Sequence, residues 1–400
     1  MLSLVTLQEI RASARLLHGV IRPTPTTRSD SIGSRLGRPL WLKHEQLQRT
    51  GSFKIRGAYT FLSELEPGAH VVAASAGNHA QGVALAARLL DMTATIFMPV
   101  SVSLPKLQAT RSYGAEVHLV GETVDDALVE ARAFAGSTGA TFVPPFDDRR
   151  IIAGQATIGL EVLDAVADLG TVVVAVGGGG LCAGVCTAVK AVRPDVRTVG
   201  VMADGARSMS RSLDADTPVA VDPRTIADGI AIGSPSELTL AHVQANVDAL
   251  VAVDDDTISR ALLLLAERAK VVVEPAGAAP LAALLDGLVP GTDPVAVILG
   301  GGNIDPLLLS KLYEHGLGVS GRFLRLRIVM DDRPGSLSRL TETVAIMGLN
   351  IIEVEHHRTG LRLPVGGVEI VLTLETRDRA HQAEVVGGLA SLGYVIEVDD

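Results

Sequence analysis

Lysine is scarce in this chain. Of 35 basic residues in 400, only six are lysine, at positions 43, 54, 106, 190, 270 and 311, which shortens any search for a catalytic amine. Cysteine is scarcer, with Cys182 and Cys186 four apart in one apolar stretch. Two cysteines exclude a disulfide framework, and two thiols alone make a poor metal site, so the pair reads as small buried hydrophobes. No metal ligand set is expected. Basic runs are missing and the net charge is −10. Nucleic acid is therefore disfavoured as the main partner, because neutralising phosphates takes clustered Lys and Arg. No Gly-Lys pair occurs, which excludes a Walker loop.

Membrane segments are excluded by pattern. The longest uncharged run, residues 169–189, would reach across a bilayer. It is interrupted by Gly177-Gly178-Gly179-Gly180, and its first half carries Val172, Val173, Val174 and Val176. That order describes a buried strand, a glycine turn and a helix. The N-terminus holds Glu9 and Arg11 in a helix-like pattern, with no small-residue cleavage site after an apolar core. A cytoplasmic location is the expectation.

What is present is an ordinary globular composition, 47% apolar and 20% charged, over a length that predicts two or three domains. Through about residue 310, β-branched runs at 71–74, 95–98, 116–120, 172–176, 198–202 and 295–299 alternate with helix-like stretches at 78–90, 124–135, 181–192 and 257–269. Such alternation implies α/β architecture, with parallel sheets covered by helices on both faces. Ligands in such sheets bind beyond the carboxyl ends of the strands, which directs attention to the glycine turns at 75–79, 177–181 and 300–303. After Gly316 the pattern changes. Strand 323–330, helix 336–347, strands 350–357 and 368–375, helix 379–392 and strand 394–398 make a βαββαβ order, that of a ferredoxin-like domain. The expected boundaries are 1–315 for the first domain, with a smaller subdomain at roughly 45–145 inserted in it, 316–321 for a linker and 322–400 for the second domain. His356 and His357 fall on one strand, where alternation sends them to opposite faces, so they are no metal pair.

Lys54 stands out among the six. It follows a glycine turn, beside Phe53 and ahead of a small-residue helix start, with Arg56 close in sequence. An amine becomes nucleophilic at neutral pH when burial or a neighbouring cation lowers its pKa. A surface lysine at a helix start is the plain alternative. The Gly177–Gly180 run lies between a buried strand and a helix, where successive N–H groups converge on an anion at the positive helix end. A tight turn for close packing is the other reading. A cradle for one phosphate plus a candidate amine points to pyridoxal phosphate (PLP), whose chemistry needs both.

At this point the sequence resembles the fold-type II PLP enzymes, specifically the threonine dehydratases (threonine ammonia-lyases). The carriers are Ser52-Phe53-Lys54-Ile55-Arg56-Gly57-Ala58, Ser75-Ala76-Gly77-Asn78-His79-Ala80-Gln81-Gly82, Gly177 to Leu181, Glu274-Pro275-Ala276-Gly277-Ala278 and Gly302-Asn303-Ile304-Asp305. The tail, with Asp332-Arg333-Pro334-Gly335-Ser336-Leu337 and Gly348-Leu349-Asn350-Ile351, resembles an ACT regulatory domain. The resemblance implies a two-subdomain catalytic fold like that of the tryptophan synthase β-subunit. It makes Lys54 the Schiff-base lysine and general base, and packs Phe53 on the pyridine ring. Asn78 would bond the 3′-oxygen, and Gly177, Gly178, Gly179, Gly180 and Leu181 would hold the phosphate by their amides. Ser75 and the backbone of Ala76, Gly77, Asn78 and His79 would grip the substrate carboxylate. The implied reaction eliminates water from L-threonine to give 2-oxobutanoate and ammonia, with L-serine giving pyruvate, in isoleucine biosynthesis or threonine catabolism. An amino-acid effector would bind between paired ACT domains near Gly335, with Asn350 nearby; a purely oligomerising role stays open. A homodimer or homotetramer follows.

Three positions depart from relatives. The residue that usually offers Ser or Cys to the pyridine nitrogen is Gly300, which has no side chain to offer. Weakened activity is expected from it, and it motivates the reading of an inactive PLP-binding amino-acid sensor. Ala76 stands where racemases carry a second base, which disfavours racemisation. Met202 stands where some relatives carry a metal-binding Glu, and the Gly177–Leu181 loop differs from that of sulfhydrylases. The helix-start His79 suits packing, carboxylate contact or an acid/base role. A dehydratase for L-serine or another β-hydroxy amino acid is the remaining alternative.

Overall fold

Valine-rich runs such as that at 172–174 bury both faces, and here they form the centre of a parallel sheet between two layers of helices. The computed structural model describes residues 3–358 and 363–399, so the expected outer bounds Met1 and Asp400 lie outside it. The strands are β1 Thr26–Arg28, β2 Leu40–His44, β3 His70–Ala74, β4 Thr93–Met98, β5 Glu116–Leu119, β6 Thr141–Phe142 and β7 Thr171–Ala175. They continue with β8 Arg197–Ala203, β9 Ala249–Val253, β10 Val295–Leu299, β11 Phe323–Asp331, β12 Ile351–His357, β13 Gly367–Glu375 and β14 Val395–Asp399.

The chain divides into two compact units, Met1–Leu309 and Ser310–Asp400. In the first, a six-stranded sheet has the order β1-β2-β10-β7-β8-β9, with only the β1–β2 pairing antiparallel. A smaller parallel sheet, β5-β4-β3-β6, lies within it. In the second unit, β12-β13-β11-β14 is antiparallel throughout, and the helices Ser336–Ile346 and Arg379–Ser391 complete the βαββαβ order. The α/β class and the ferredoxin-like tail are as the sequence predicts. Residues 316–319, expected in a linker, form the last turn of the helix Pro306–Val319. The helix expected at 257–269 is α-helical over Asp255–Leu264 and continues as a π-turn, Leu265–Ala269, closed by Lys270 at φ +59. Among the described residues no helix is long and apolar enough to cross a membrane.

Close helix contacts position the first unit's loops. A Cβ on Gly154, in the helix Arg149–Ala165, would stand 2.6 Å from the Arg56 carbonyl oxygen. A Cβ on Gly82, in the helix Asn78–Leu89, would stand 3.1 Å from the Lys54 carbonyl carbon. The helix Lys54–Leu62 is therefore wedged between two neighbours at van der Waals limits. Beneath it lies a largely buried ionic cluster. The Arg56 guanidinium donates to both Glu45 carboxylate oxygens at 2.8 Å and to Glu161 Oε1 at 2.5 Å, while Lys43 Nζ donates to Glu161 Oε2 at 2.5 Å. Two cations face two anions, so each charge is matched. Glu161 holds its carboxyl below the usual range despite burial, because Arg56 and Lys43 favour the anion.

Removing one member unbalances the set. Arg56→Met leaves Glu45 with the Thr24 hydroxyl and, as its remaining cation, Lys43 at 4.0 Å. It is expected to cost about 3–5 kcal/mol in chemical denaturation. Arg56→Met combined with Glu45→Gln is expected to recover more than half of that loss, since Lys43 and Glu161 stay paired. Equal losses in the single and double variants would show that shape, and not charge, is the essential term.

Candidate active site

Lys54 is the first residue of its helix, and the two residues before it are tied to the opposite strand end. Ser52 bridges Gly301, and the Phe53 N–H donates to the Gly300 carbonyl at 3.1 Å. The Lys54 ammonium is buried, donates to the Pro145 carbonyl at 2.9 Å and sits 5.4 Å from the Phe53 ring centre. Burial pulls its pKa down to about 8, and Glu274 opposes the shift. Arg56, the neighbouring cation that the sequence suggested for this task, takes no part. Its guanidinium is spent on Glu45 and Glu161.

The glycine loop follows β7 and opens the helix Gly180–Val192. The first N–H groups of that helix have no intrahelical acceptor and point back toward the loop. Packing also demands glycine: a Cβ on Gly178 would stand 2.3 Å from Phe146, and one on Gly177 would stand 2.8 Å from Ile230 Cα. Gly179 has φ +95, which favours glycine on backbone grounds. The two sequence readings of this run, anion cradle and tight packing, thus describe one object. A Cβ on Gly300 would make ordinary contacts, 3.4 Å to Phe53 and 3.5 Å to Leu181. Phe53, Leu181 and Gly300, distant in sequence, border one space.

The third turn follows β3. Ser75 Oγ accepts from the Gly77 N–H at 3.1 Å, so that amide is already engaged within the turn. The helix Asn78–Leu89 begins there and offers the remaining first-turn amides. The His79 ring is buried against the Val143 carbonyl at 2.9 Å, and burial beside the Lys54 charge pulls its pKa to about 3. It is a neutral packing group, which leaves only its backbone for a ligand. Asn78 is held from both sides, accepting from Asn303 Nδ2 and donating to Glu274 Oε1, each at 2.7 Å.

Glu274 and Asn303 are the residues that sequence reasoning missed. Both lie inside quoted motifs, but nothing in their spacing announced that they clamp Asn78. Burial and the charge of Asp228 push Glu274 up to about 7. A cavity of about 190 Å³ opens beside them, with Ala76, Lys106, Asp228, Glu274, Asn303 and Asp305 in its wall. Cys182 and Cys186 lie in the core with sulfurs 3.8 Å apart, and Met202 is buried beside them. Among the described residues no group of three or more His, Cys, Asp or Glu gathers as for a metal.

In the second unit a cavity of about 370 Å³ is lined by Asp331, Arg333, Gly335, His356 and Arg358 among others. Asn350 is not there. It precedes β12 at the opposite end of the sheet, where its side chain donates to Glu375 at 3.3 Å. Within one chain, Gly335 and Asn350 cannot touch the same small molecule.

Comparison with known proteins gives the same partition. Residues 17–301 match the family described as pyridoxal-phosphate dependent enzyme, and residues 324–396 match the ACT domain. The chain is 43% identical to an L-threonine ammonia-lyase of Thermotoga maritima over 399 residues, covering 99% of this chain and 100% of that one. It is 44% identical to an L-threonine ammonia-lyase of Geobacter sulfurreducens, covering 94% and 95%. A crystal structure of T.th. threonine deaminase superposes with a TM-score of 0.72 at 41% identity, covering 75% of this chain and 99% of that one. The chain belongs to the pyridoxal-phosphate dependent enzyme family and carries an ACT domain after that region.

Proposed function

We propose that the protein is a threonine ammonia-lyase. It removes water from L-threonine, and hydrolysis of the resulting enamine gives 2-oxobutanoate and ammonia. The observation that carries this reading is that Gly300 and Gly301 bring together Phe53 (next to Lys54), Leu181 of the glycine loop and Asn78 of the third turn, in a chain of this family.

The residues fit PLP by their donor chemistry. The phosphate suits the free amides at the start of the helix Gly180–Val192, and the ring would lie against Phe53, beside Gly300 and Leu181. Asn78 Nδ2 has two hydrogens and spends one on Glu274, which leaves the other for a ring oxygen. When bound, the cofactor supplies an electron sink for the carbanion at the substrate's α-carbon.

Lys54 Nζ would hold the cofactor, and as a free amine it is the group placed to take the α-proton as general base. Its lowered pKa makes the neutral amine accessible near pH 8. The first-turn amides from Asn78 onward hold the substrate carboxylate, aided by the helix dipole. Ser75 Oγ shapes that turn by accepting from Gly77. Glu274 and Asn303 fix the plane of the Asn78 amide. Ala76 offers no second base, so D-serine formation is not expected. The ACT domain supports a regulated activity and a homo-oligomer in which ACT domains would pair.

A coupled oxo-acid assay tests the reading. L-threonine is expected to give 2-oxobutanoate, L-serine pyruvate at a lower rate, and D-serine nothing. A protein that binds PLP and turns over none of them would establish the sensor alternative instead. Lys54→Ala is expected to abolish both turnover and the visible absorbance of the lysine-bound cofactor. In the protein freed of cofactor, recapture of PLP should accelerate about tenfold between pH 7 and pH 9, because the neutral fraction of an amine titrating at about 8 rises by that factor. A flat pH profile would contradict the burial argument for Lys54. Gly300→Ser meets only ordinary contacts at Cβ, so it should fold normally. Its hydroxyl, worth about 1 kcal/mol as a hydrogen bond to the ring nitrogen, should raise kcat about fivefold.

A further inference from the structure

The 190 Å³ cavity has an unusual balance of charge. Lys106 is the one basic residue among the described residues that line it, against the carboxyl groups of Asp228, Glu274 and Asp305. Lys106 reaches in from the helix Leu104–Ser112 and lies over the turn assigned to the substrate carboxylate. A Cβ on Gly77 would stand 3.6 Å from its Cδ and 3.7 Å from its Nζ. The ammonium is not at liberty, however. It donates to Asp228 Oδ2 at 2.6 Å, at the start of the short helix Asp228–Ile230.

We propose that Asp228 is a specificity-determining residue: by holding the Lys106 ammonium it denies the cavity a free cation and so excludes amino acids with a carboxylate on the β-carbon. This rests on the threonine ammonia-lyase reading, since it concerns the same site. A lysine offers one compact charge, and a carboxylate at 2.6 Å already meets it. A second carboxylate, carried in on the substrate, meets a compensated pair. It also faces Asp305, whose carboxylate is aimed at the N–H groups of Leu307 and Leu308, and Glu274, held by Asn78. Partly removed from water with no cation to receive it, such a group is penalised. The methyl and hydroxyl of threonine carry no charge and escape that penalty. Discrimination here comes from a repulsive arrangement as much as from an attractive one.

The pairing also accounts for an absence in the wall. Recognition of an acidic side chain ordinarily falls to arginine, whose fork meets a carboxylate at two points. None of the described residues that line it is arginine. Lys106 is the only cation among them that could serve there, and Asp228 occupies it.

The test uses the PLP-loaded full-length protein and two ligands of equal size, L-aspartate and L-asparagine, neither of which has a β-hydroxyl to lose. Dissociation constants are measured by calorimetry, which needs no turnover. Wild type should favour asparagine. Asp228→Asn, a change of nearly equal shape at a side chain that is 58% exposed, should move the ratio of the two constants toward aspartate by about tenfold. Asp228→Ser should move it in the same direction. Combining Asp228→Asn with Lys106→Met should return the ratio to the wild-type side. An unchanged ratio in both Asp228 variants overturns the proposal, as does a shift that survives loss of Lys106. The oxo-acid assay on wild type is run beside it. Absence of 2-oxobutanoate there would end the threonine reading while the ligand ratio still reports on Asp228, and the converse result would end the specificity proposal alone.

Discussion

The buried guanidinium of Arg56 is the constraint on which the site depends. It sits two residues beyond Lys54, on a helix held at contact distance by Gly82 on one side and Gly154 on the other. Its hydrogen bonds to Glu45 and Glu161 join the segment after β2 to the helix Arg149–Ala165, and Lys43 at the end of β2 closes the ring. A charge so deep is tolerable only when every donor is used, so the arrangement admits little play. The first residue of that helix inherits its placement. Lys54 can remain a buried amine because the charge beside it in sequence is accounted for elsewhere.

Electrostatics in the site work by opposition. Lys54 is pulled down to about 8 and Glu274 pushed up to about 7, both chiefly by burial. Groups of opposite type thereby approach a common range in which each exchanges protons near neutrality. His79, next to the same amine, is also pulled down, to about 3, which takes it away from that range and out of proton chemistry. One low-dielectric environment thus sorts three titratable side chains into two usable groups and one inert ring.

Much of this was legible in the sequence, for identifiable reasons. β7 and β10 announce themselves as unbroken apolar runs, and the glycine loop by its four consecutive glycines. β1, β2, β6 and β9 were missed: β1 and β6 run to only three and two residues, β1 and β2 carry polar residues such as Thr26, Lys43 and His44, and β9 mixes alanine into its short run. Lys54 was found because lysine is rare here, and because its motif fits a family. Of the two causes the sequence offered for its activation, burial and the nearby Arg56, only burial acts, since adjacency in sequence says nothing of which way two side chains point from a helix. The clamp of Glu274 and Asn303 on Asn78 spans 196 and 225 positions, and no local pattern encodes a contact of that range. The positions of Gly335 and Asn350 teach a related lesson: two residues of one motif set can be placed at opposite ends of a sheet by the direction of its strands.

The two cysteines have a practical consequence. Both thiols are fully shielded in the core, on the helix that starts at the glycine loop. A thiol-selective reagent can reach them only when that core opens. The unaltered chain therefore carries an internal reporter of how often the cradle comes apart, and its exterior, free of competing thiols among the described residues, is blank for a label placed anywhere else.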